Sequence, residues 1–358
     1  MKLLTIVGAR PQFVKAAALS RVLKDSTSIE EVIVHTGQHF DANMSEVFFE
    51  EMAIPKPKYN LAINSLGHGA MTGRMLEGIE ELIIKENPTM LLVYGDTNST
   101  VAGALAAKKL HVSVGHVEAG LRSFNMKMPE EVNRILTDRI SDHLFCPTDT
   151  AVRNLQNEGF DNFDCKVHRT GDVMQDAALY YAKFSKDKSS VLASLNNPMD
   201  FVLCTIHRAE NTDDPKRLES IVTALNRVNV QQQVICPLHP RTRNILKNSG
   251  LETKFTIIDP VGYFDMIELL KAASLVMTDS GGLQKEAFFF SNPCVTMRDE
   301  TEWTELVEHG YNKIVGADEY RIFEGYEAMK DAQLDFSLDL YGKGKAAQQI
   351  AEVLGGVK

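Results

Sequence analysis

TDSGGLQKEAFFF, residues 278–290, joins the apolar run Ala273–Thr278 to a helix-forming segment through two adjacent glycines. A strand that passes through Gly-Gly straight into a helix leaves backbone N–H groups unpaired and pointing outward at the helix start. Such an end attracts an anion, and phosphate above all. The same residues could also form a purely structural turn, so the rest of the chain has to decide between the two.

Runs like Ala273–Thr278 recur along the chain. Leu3–Val7, Glu31–His35, Met90–Tyr94, Val112–His116 and Leu144–Cys146 are strand candidates in the first half, and Phe201–Ile206, Gln233–Cys236, Phe255–Ile258 and Cys294–Met297 in the second. Helical patterns lie between them, among them Pro11–Leu23, Gly69–Glu86, Ser99–Lys109, Pro129–Asp142, Pro215–Val228, Tyr263–Ala273 and Leu283–Phe290. Continuous apolar strands alternating with helices predict parallel sheets covered on both faces. The pattern restarts at Phe201 after the polar stretch KFSKDKSSVLASLNNPMD. The expectation is an α/β protein of two doubly wound domains, residues 1–170 and 171–344, with a last helix at 345–358 packing back on the first.

At 358 residues, 44% apolar and 24% charged, the chain has the composition of an ordinary globular protein with material for two cores. A net charge of −10 argues against a nucleic-acid binder, which needs a basic face. The five cysteines are scattered without any CxxC pair, as free thiols in a reducing compartment would be. The opening MKLLTIVGARPQF is too short in apolar residues for a secretory leader, and no run approaches the length of a membrane span. A cytosolic protein is expected, with no membrane or nucleic-acid partner.

Polar residues fall where the strands end. LLTIVGAR reaches Arg10, MLLVYGD Asp96, VSVGHVE His116 and Glu118, VLCTIHR His207 and Arg208, QVICPLH His239, and LVMTDSGG Asp279 and Ser280. In open parallel sheets ligands bind outside those strand ends, so two facing edges across a cleft are expected. Asp96 could instead cap the helix that follows. Glu130 and Glu131 open a helix after Pro129, where carboxylates complement the dipole and Glu130 can pair with Arg134. Glu118 has no helix nearby to cap. Arg10 and Lys15 put two cations at one helix start, which is unfavourable unless an anion arrives. His35 and His39 are spaced by four on a strand-to-loop segment that makes a poor zinc pair, so no metal is expected. GxGxxG and the Walker pattern are both absent.

Taken together, VGARPQFVKAA, YGDTNST, GHVEAGLRS, MPEEVNR, HRAEN, TDSGGLQKEA and LYGKGKA resemble the non-hydrolysing UDP-N-acetylglucosamine 2-epimerase family, in that family's order and over essentially the whole chain. The resemblance implies the GT-B fold, two Rossmann-like domains facing across a cleft, and a homodimer. It implies inversion at C2 of a UDP-sugar by elimination and re-addition of UDP, with no cofactor. Under it, Ser280, Gly281 and Gly282 hold the diphosphate, Arg10 and His207 add charge, Glu286 takes the ribose hydroxyls, and Lys15 is a further UDP-site residue. Asp96, Glu118 and Glu130 match the catalytic carboxylates, joined by His207 as a catalytic residue.

The chain also departs from the family pattern. HRRE reads His207-Arg208-Ala209-Glu210, and TERPE reads Thr301-Glu302-Trp303-Thr304-Glu305. Near the expected uracil site Val261 and Met266 replace glutamine and phenylalanine, and Lys313 stands for a late arginine. Arg241 and Arg243 add charge beside His239. Gln38 remains in the loop tied to a second, allosteric substrate site, while Asp41 replaces a glutamine there. These changes resemble the branch acting on UDP-2,3-diacetamido-2,3-dideoxy-glucuronate, for which Gln38, Arg208, His239 and Arg241 are candidate second-site or uronate residues. UDP-N-acetylglucosamine remains an equal candidate. A glycosyltransferase or a hydrolysing epimerase using the same UDP site are the alternatives.

Overall fold

The computed structural model describes residues 1–25, 28–38 and 55–357; His39 and Asp41, singled out above, lie outside the described residues. The chain divides into two compact units, Met1–Ala177 with Asp339–Lys358, and Ala178–Leu338. The first boundary falls inside the helix Val173–Lys188, a few residues beyond the 170/171 division expected from sequence.

The first unit is built on seven parallel strands: β1 (Lys2–Val7), β2 (Glu30–His35), β3 (Tyr59–Asn60), β4 (Met90–Tyr94), β5 (Ser113–Val117), β6 (His143–Cys146) and β7 (Lys166–Arg169), in the order β3-β2-β1-β4-β5-β6-β7. The second has six, β8 (Phe201–Thr205), β9 (Val234–Pro237), β10 (Thr256–Ile258), β11 (Ala273–Thr278), β12 (Cys294–Thr296) and β13 (Asn312–Ile314), in the order β10-β9-β8-β11-β12-β13. Both are doubly wound. The direction of winding reverses between β1 and β4 in one sheet and between β8 and β11 in the other, and it is there that open α/β sheets present a crevice for ligands.

Continuous apolar strands need cover on both faces. In the first unit Leu4, Ile6, Leu91 and Val93 pack with Ile79 and Ile83 of the helix His68–Glu86 and with Ala102 and Ala106 of the helix Asn98–Lys109. In the second, Val202, Cys204, Leu275 and Met277 meet Ile221 and Leu225 of the helix Pro215–Gln231. Burying each of these large side chains contributes roughly 1.5–3 kcal/mol. The last helix, Ala346–Gly355, belongs to the first unit, where Asp176 accepts from the N–H of Ala346 (3.1 Å) and Ala347 (2.9 Å) and so caps its start. Among the described residues no helix is long and apolar enough to cross a membrane.

Candidate active site

Each reversal point gathers its own set of polar residues. In the first unit, β4 ends at Tyr94, whose carbonyl accepts from Gln12 Nε2 (2.7 Å) and Thr100 Oγ1 (2.7 Å). Gln12 Oε1 in turn accepts from the N–H of Gly8 and Ala9, which ties the loop after β1 to the loop after β4. Gly95 then turns the chain with φ +64°, a conformation open to glycine. A Cβ there would stand 3.2 Å from Lys15 Nζ and 3.3 Å from Glu118 Oε2.

Lys15 and Glu118 form a salt bridge in which both side chains are nearly buried. Glu118 itself sits at φ +73°, an uncommon conformation for a side chain-bearing residue, and its N–H donates to Phe145 O (3.0 Å). Asp96 does not cap the next helix. Thr97 is the cap, accepting from Thr100 N, and the Asp96 carboxylate turns instead to Arg134. Arg134 also reaches the buried Glu131 (3.1 Å), which accepts from Ser123 N and Oγ and from Phe124 N. Glu130, one residue earlier, is exposed. Arg10 is the half-buried first residue of the helix Arg10–Lys24. Gln38 Oε1 accepts from the N–H (3.2 Å) and hydroxyl (2.8 Å) of Ser99, so it is seated at the start of the helix Asn98–Lys109, in the same unit.

In the second unit the stretch 278–290 is strand, Ser280 cap and the helix Gly281–Phe289. Ser280 Oγ accepts from Leu283 N. Among the described residues nothing accepts from the N–H of Gly281 or Gly282, as an anion cradle requires. Gly281 is fixed by a close approach: a Cβ there would strike the Glu302 carboxylate, which the fully buried Arg298 holds through Nη1 at 3.0 Å. Glu286 lies half-buried on the same helix.

Asp279 has a different part from the one its place at a strand end suggests. It is fully buried and accepts from the N–H of His207 (3.1 Å to each oxygen), the N–H of Arg208 (3.0 Å) and Asn211 Nδ2 (3.2 Å), with His207 Nδ1 3.1 Å from Oδ1. Burial alone would raise its pKa, but His207 and these N–H donors outweigh that and hold it below the usual carboxylate range. Asp279 therefore shapes the loop that presents His207, whose side chain is half exposed beside the half-buried Arg208.

The second unit also carries Lys313, His239, Arg241, Val261 and Met266. Lys313 lies exposed on the edge strand β13. Its neighbour Asn312 faces the helix and donates to Gln284 Oε1 (2.9 Å), so alternation turns Lys313 to the other face. His239 caps the helix Pro240–Ser249, and Arg241 pairs with Asp213 (2.5 Å). Met266 and Val261 pack on an apolar cluster with Ile258. A cavity of about 430 Å³ opens there, lined by Val261, Ile258, Pro260 and Arg243, the last of these paired with Asp259 at 2.7 Å. Gln12, Asn211 and Arg298 were not foreseen, and Arg134, expected beside Glu130, pairs with Asp96 and Glu131. Only Gln12 carried a signal, as a lone amide in the first turn of a helix otherwise read for its cations. Among the described residues no group of three or more His, Cys, Asp or Glu could hold a metal ion.

Comparison with known proteins gives one consistent answer. The family model described as UDP-N-acetylglucosamine 2-epimerase matches residues 21–355. The chain is 56% identical over 355 residues to the UDP-2,3-diacetamido-2,3-dideoxy-D-glucuronate 2-epimerase of Pseudomonas aeruginosa, covering 99% of both. It resembles the crystal structure of the Methanocaldococcus jannaschii UDP-GlcNAc 2-epimerase in complex with UDP-GlcNAc and UDP, with a TM-score of 0.89, 42% identity and 99% of each chain covered. For the UDP-GlcNAc-bound enzyme of Neisseria meningitidis the TM-score is 0.87 at 29% identity, with 99% of each chain covered. The two doubly wound units are thus of the GT-B class.

Proposed function

The chain belongs to the UDP-N-acetylglucosamine 2-epimerase family, and on that premise we propose that it inverts C2 of a UDP-linked 2-acetamido sugar, with UDP-2,3-diacetamido-2,3-dideoxy-glucuronate as the sugar nucleotide. Members of the family are isomerases. The 56% identity to the Pseudomonas aeruginosa enzyme, over nearly the whole of both chains, carries the choice of sugar.

The chemistry sets what the residues must do. C2 of the sugar is not next to a carbonyl, so its proton is lost only as UDP leaves C1, giving a 2-acetamidoglucal beside UDP. Stabilising the departing diphosphate is then the main catalytic task. Preorganised donors on a developing anion contribute about 3–4 kcal/mol each. The unpartnered N–H groups of Gly281 and Gly282 fit that role, with His207, aimed by Asp279, adding a ring donor. Glu286 offers two oxygens to a ribose diol, and the cavity lined by Val261, Ile258 and Pro260 on its apolar side and by Arg243 and Asp259 on its polar side suits the uracil ring. Asp96 and Glu118, each fixed by a cation, are the proton-transfer candidates, with Glu130, exposed in the first turn of the helix Pro129–Ile140, as the third. Arg208 is the cation for the uronate carboxylate, because Arg241 and Arg243 already have aspartate partners. A cytosolic homodimer serving surface-polysaccharide synthesis completes the proposal.

The test is incubation with each UDP-sugar in D2O, following C2 by NMR. Deuterium at C2 of the diacetamido-uronate with the UDP-sugar conserved is expected. Exchange only with UDP-GlcNAc would move the substrate to that sugar, and stoichiometric free sugar would mean hydrolysis. Asp96→Asn is expected to abolish exchange while leaving UDP affinity nearly intact; lost UDP binding would displace Asp96 from its assigned place.

A further inference from the structure

His116 is wholly buried at the end of β5, with an acceptor on each ring nitrogen: Asp138 Oδ1 at 2.7 Å from Nδ1 and the Gly95 carbonyl at 2.7 Å from Nε2. A carbonyl can only accept, so Nε2 carries a proton. Asp138 is already an acceptor for Gly120 N (3.1 Å) and Arg122 Nη1 (2.7 Å), so Nδ1 donates to it as well. Two donating nitrogens make an imidazolium. Its charge is answered by Asp138, whose carboxylate also meets Arg122, itself bidentate to Glu158 at 2.6 and 2.8 Å. None of these groups was assigned a role in the reaction above.

What His116 grips is the pivot of the carboxylate site. Four backbone polar groups through the turn after β4 are held by neighbours: Tyr94 O by Gln12 and Thr100, Gly95 N by Val117 O (3.0 Å), Gly95 O by His116, and Asp96 O by Asn133 Nδ2 (3.0 Å). Gly95 is left-handed, with Lys15 and Glu118 against it, and its peptide leads directly to Asp96. Rotating that peptide would swing the Asp96 carboxylate away from Arg134 and open the wall against which the Lys15–Glu118 pair rests.

We propose that His116 is a positioning residue for the reaction: a buried imidazolium, anchored by Asp138, that locks the Gly95–Asp96 peptide and so fixes where the Asp96 and Glu118 carboxylates are presented. This rests on the epimerase reading of those carboxylates.

Two substitutions separate this role from simple charge balance in the core. In His116→Gln the terminal amide stands where Nε2 stood and can still donate to Gly95 O. In His116→Asn the amide stands where Nδ1 stood, keeping the Asp138 bond and losing Gly95. His116→Gln is expected to keep kcat for C2 exchange within about tenfold of the parent, and His116→Asn to lose about 10²-fold in kcat, as misplacement on the scale of 1 Å does, with KM and UDP affinity changed less than about threefold. Asn equal to or better than Gln would overturn the proposal, as would equal losses in KM. A measurement without substitution stands beside these: 15N NMR of the intact protein should show both ring nitrogens of His116 protonated near neutral pH, and a neutral tautomer would overturn the proposal. If the parent enzyme exchanges C2 with neither sugar, the epimerase reading fails, whatever the ring nitrogens show.

Discussion

Asp279→Asn removes one buried negative charge and replaces one acceptor oxygen by an NH2 group, in a pocket built wholly of donors. The carboxylate receives the N–H of His207 and Arg208 and the amide of Asn211 at 3.0–3.2 Å, with His207 Nδ1 at 3.1 Å. An asparagine must point its NH2 at one of these, losing at least one charge-assisted bond and stranding a donor. Each effect costs about 1.5–3 kcal/mol. Relief of the charge's own desolvation, the largest single influence on this carboxyl, offsets part of that. A net loss of about 2–3 kcal/mol follows, in line with breaking other buried ionic networks. In a domain of this size that lowers Tm by about 5–10 °C. The pH dependence has a definite sign. The folded-state pKa of Asp279 is depressed, so its contribution is fully present above the ordinary aspartate value of about 3.9 and is lost as pH falls through the folded value. Urea unfolding of parent and variant at pH 7 and again near pH 3 measures both points. A difference below about 0.5 kcal/mol at pH 7, or one that does not shrink in acid, would refute the account.

Lys15→Met and Glu118→Gln should each destabilise the first unit by about 3–5 kcal/mol, because each removes one member of a nearly buried ion pair. The double variant should recover at least about 2 kcal/mol of the sum in urea unfolding, and additivity within about 0.5 kcal/mol would deny the pairing. His143 and His168 stack with ring centroids 5.4 Å apart and share a hydrogen bond of 3.2 Å between Nδ1 and Nε2. Burial lowers both pKa values, with Lys166 adding to it at His143, and His143 and Lys166 at His168. Their depressed folded values mean the unfolded chain takes up protons first, so stability should be full above about pH 6.5 and fall below it. Melting of His168→Phe across pH 7 to 5 should show a shallower acid decline than the parent; an identical slope would remove the pair as its cause.

The central strands were legible because they are buried on both faces and so read as unbroken apolar runs: Met90–Tyr94 and Ala273–Thr278 were read to the residue. The strands that escaped notice are edge or near-edge ones. β3 is two residues long, β7 reads KVHR and β13 reads NKI, each too short or too polar for periodicity to register. Without that last strand, the alternation that turns Lys313 to the face opposite Asn312 could not be seen from sequence. The helix Asp149–Asn157 was missed because its apolar residues are few, and it and Glu319–Met329 begin at caps, Thr148 and Asp318, that sit among other polar residues that could equally have formed turns.

The limit of sequence reading is clearest in two aspartates that occupy matching places. Asp96 follows β4 and Asp279 follows β11, the strands that adjoin β1 and β8 across the two reversal points. From sequence both are acids at the end of an apolar strand. Asp279 is enclosed and its oxygens are taken up by donors from the loop after β8, so it can shape that loop but cannot exchange a proton with a ligand. Asp96 keeps a side chain 31% exposed, with its helix-capping work done by Thr97 and its carboxylate held by Arg134. What separates them is the number of donors that non-local neighbours bring to each. One intervening glycine, Gly95, lifts Asp96 clear of the strand end, while Asp279 follows Thr278 directly and turns inward. Placing an aspartate at a parallel strand's end therefore predicts a polar site, but in this chain the turn after the strand decides whether the carboxylate is enclosed by backbone donors, as at Asp279, or left partly exposed, as at Asp96.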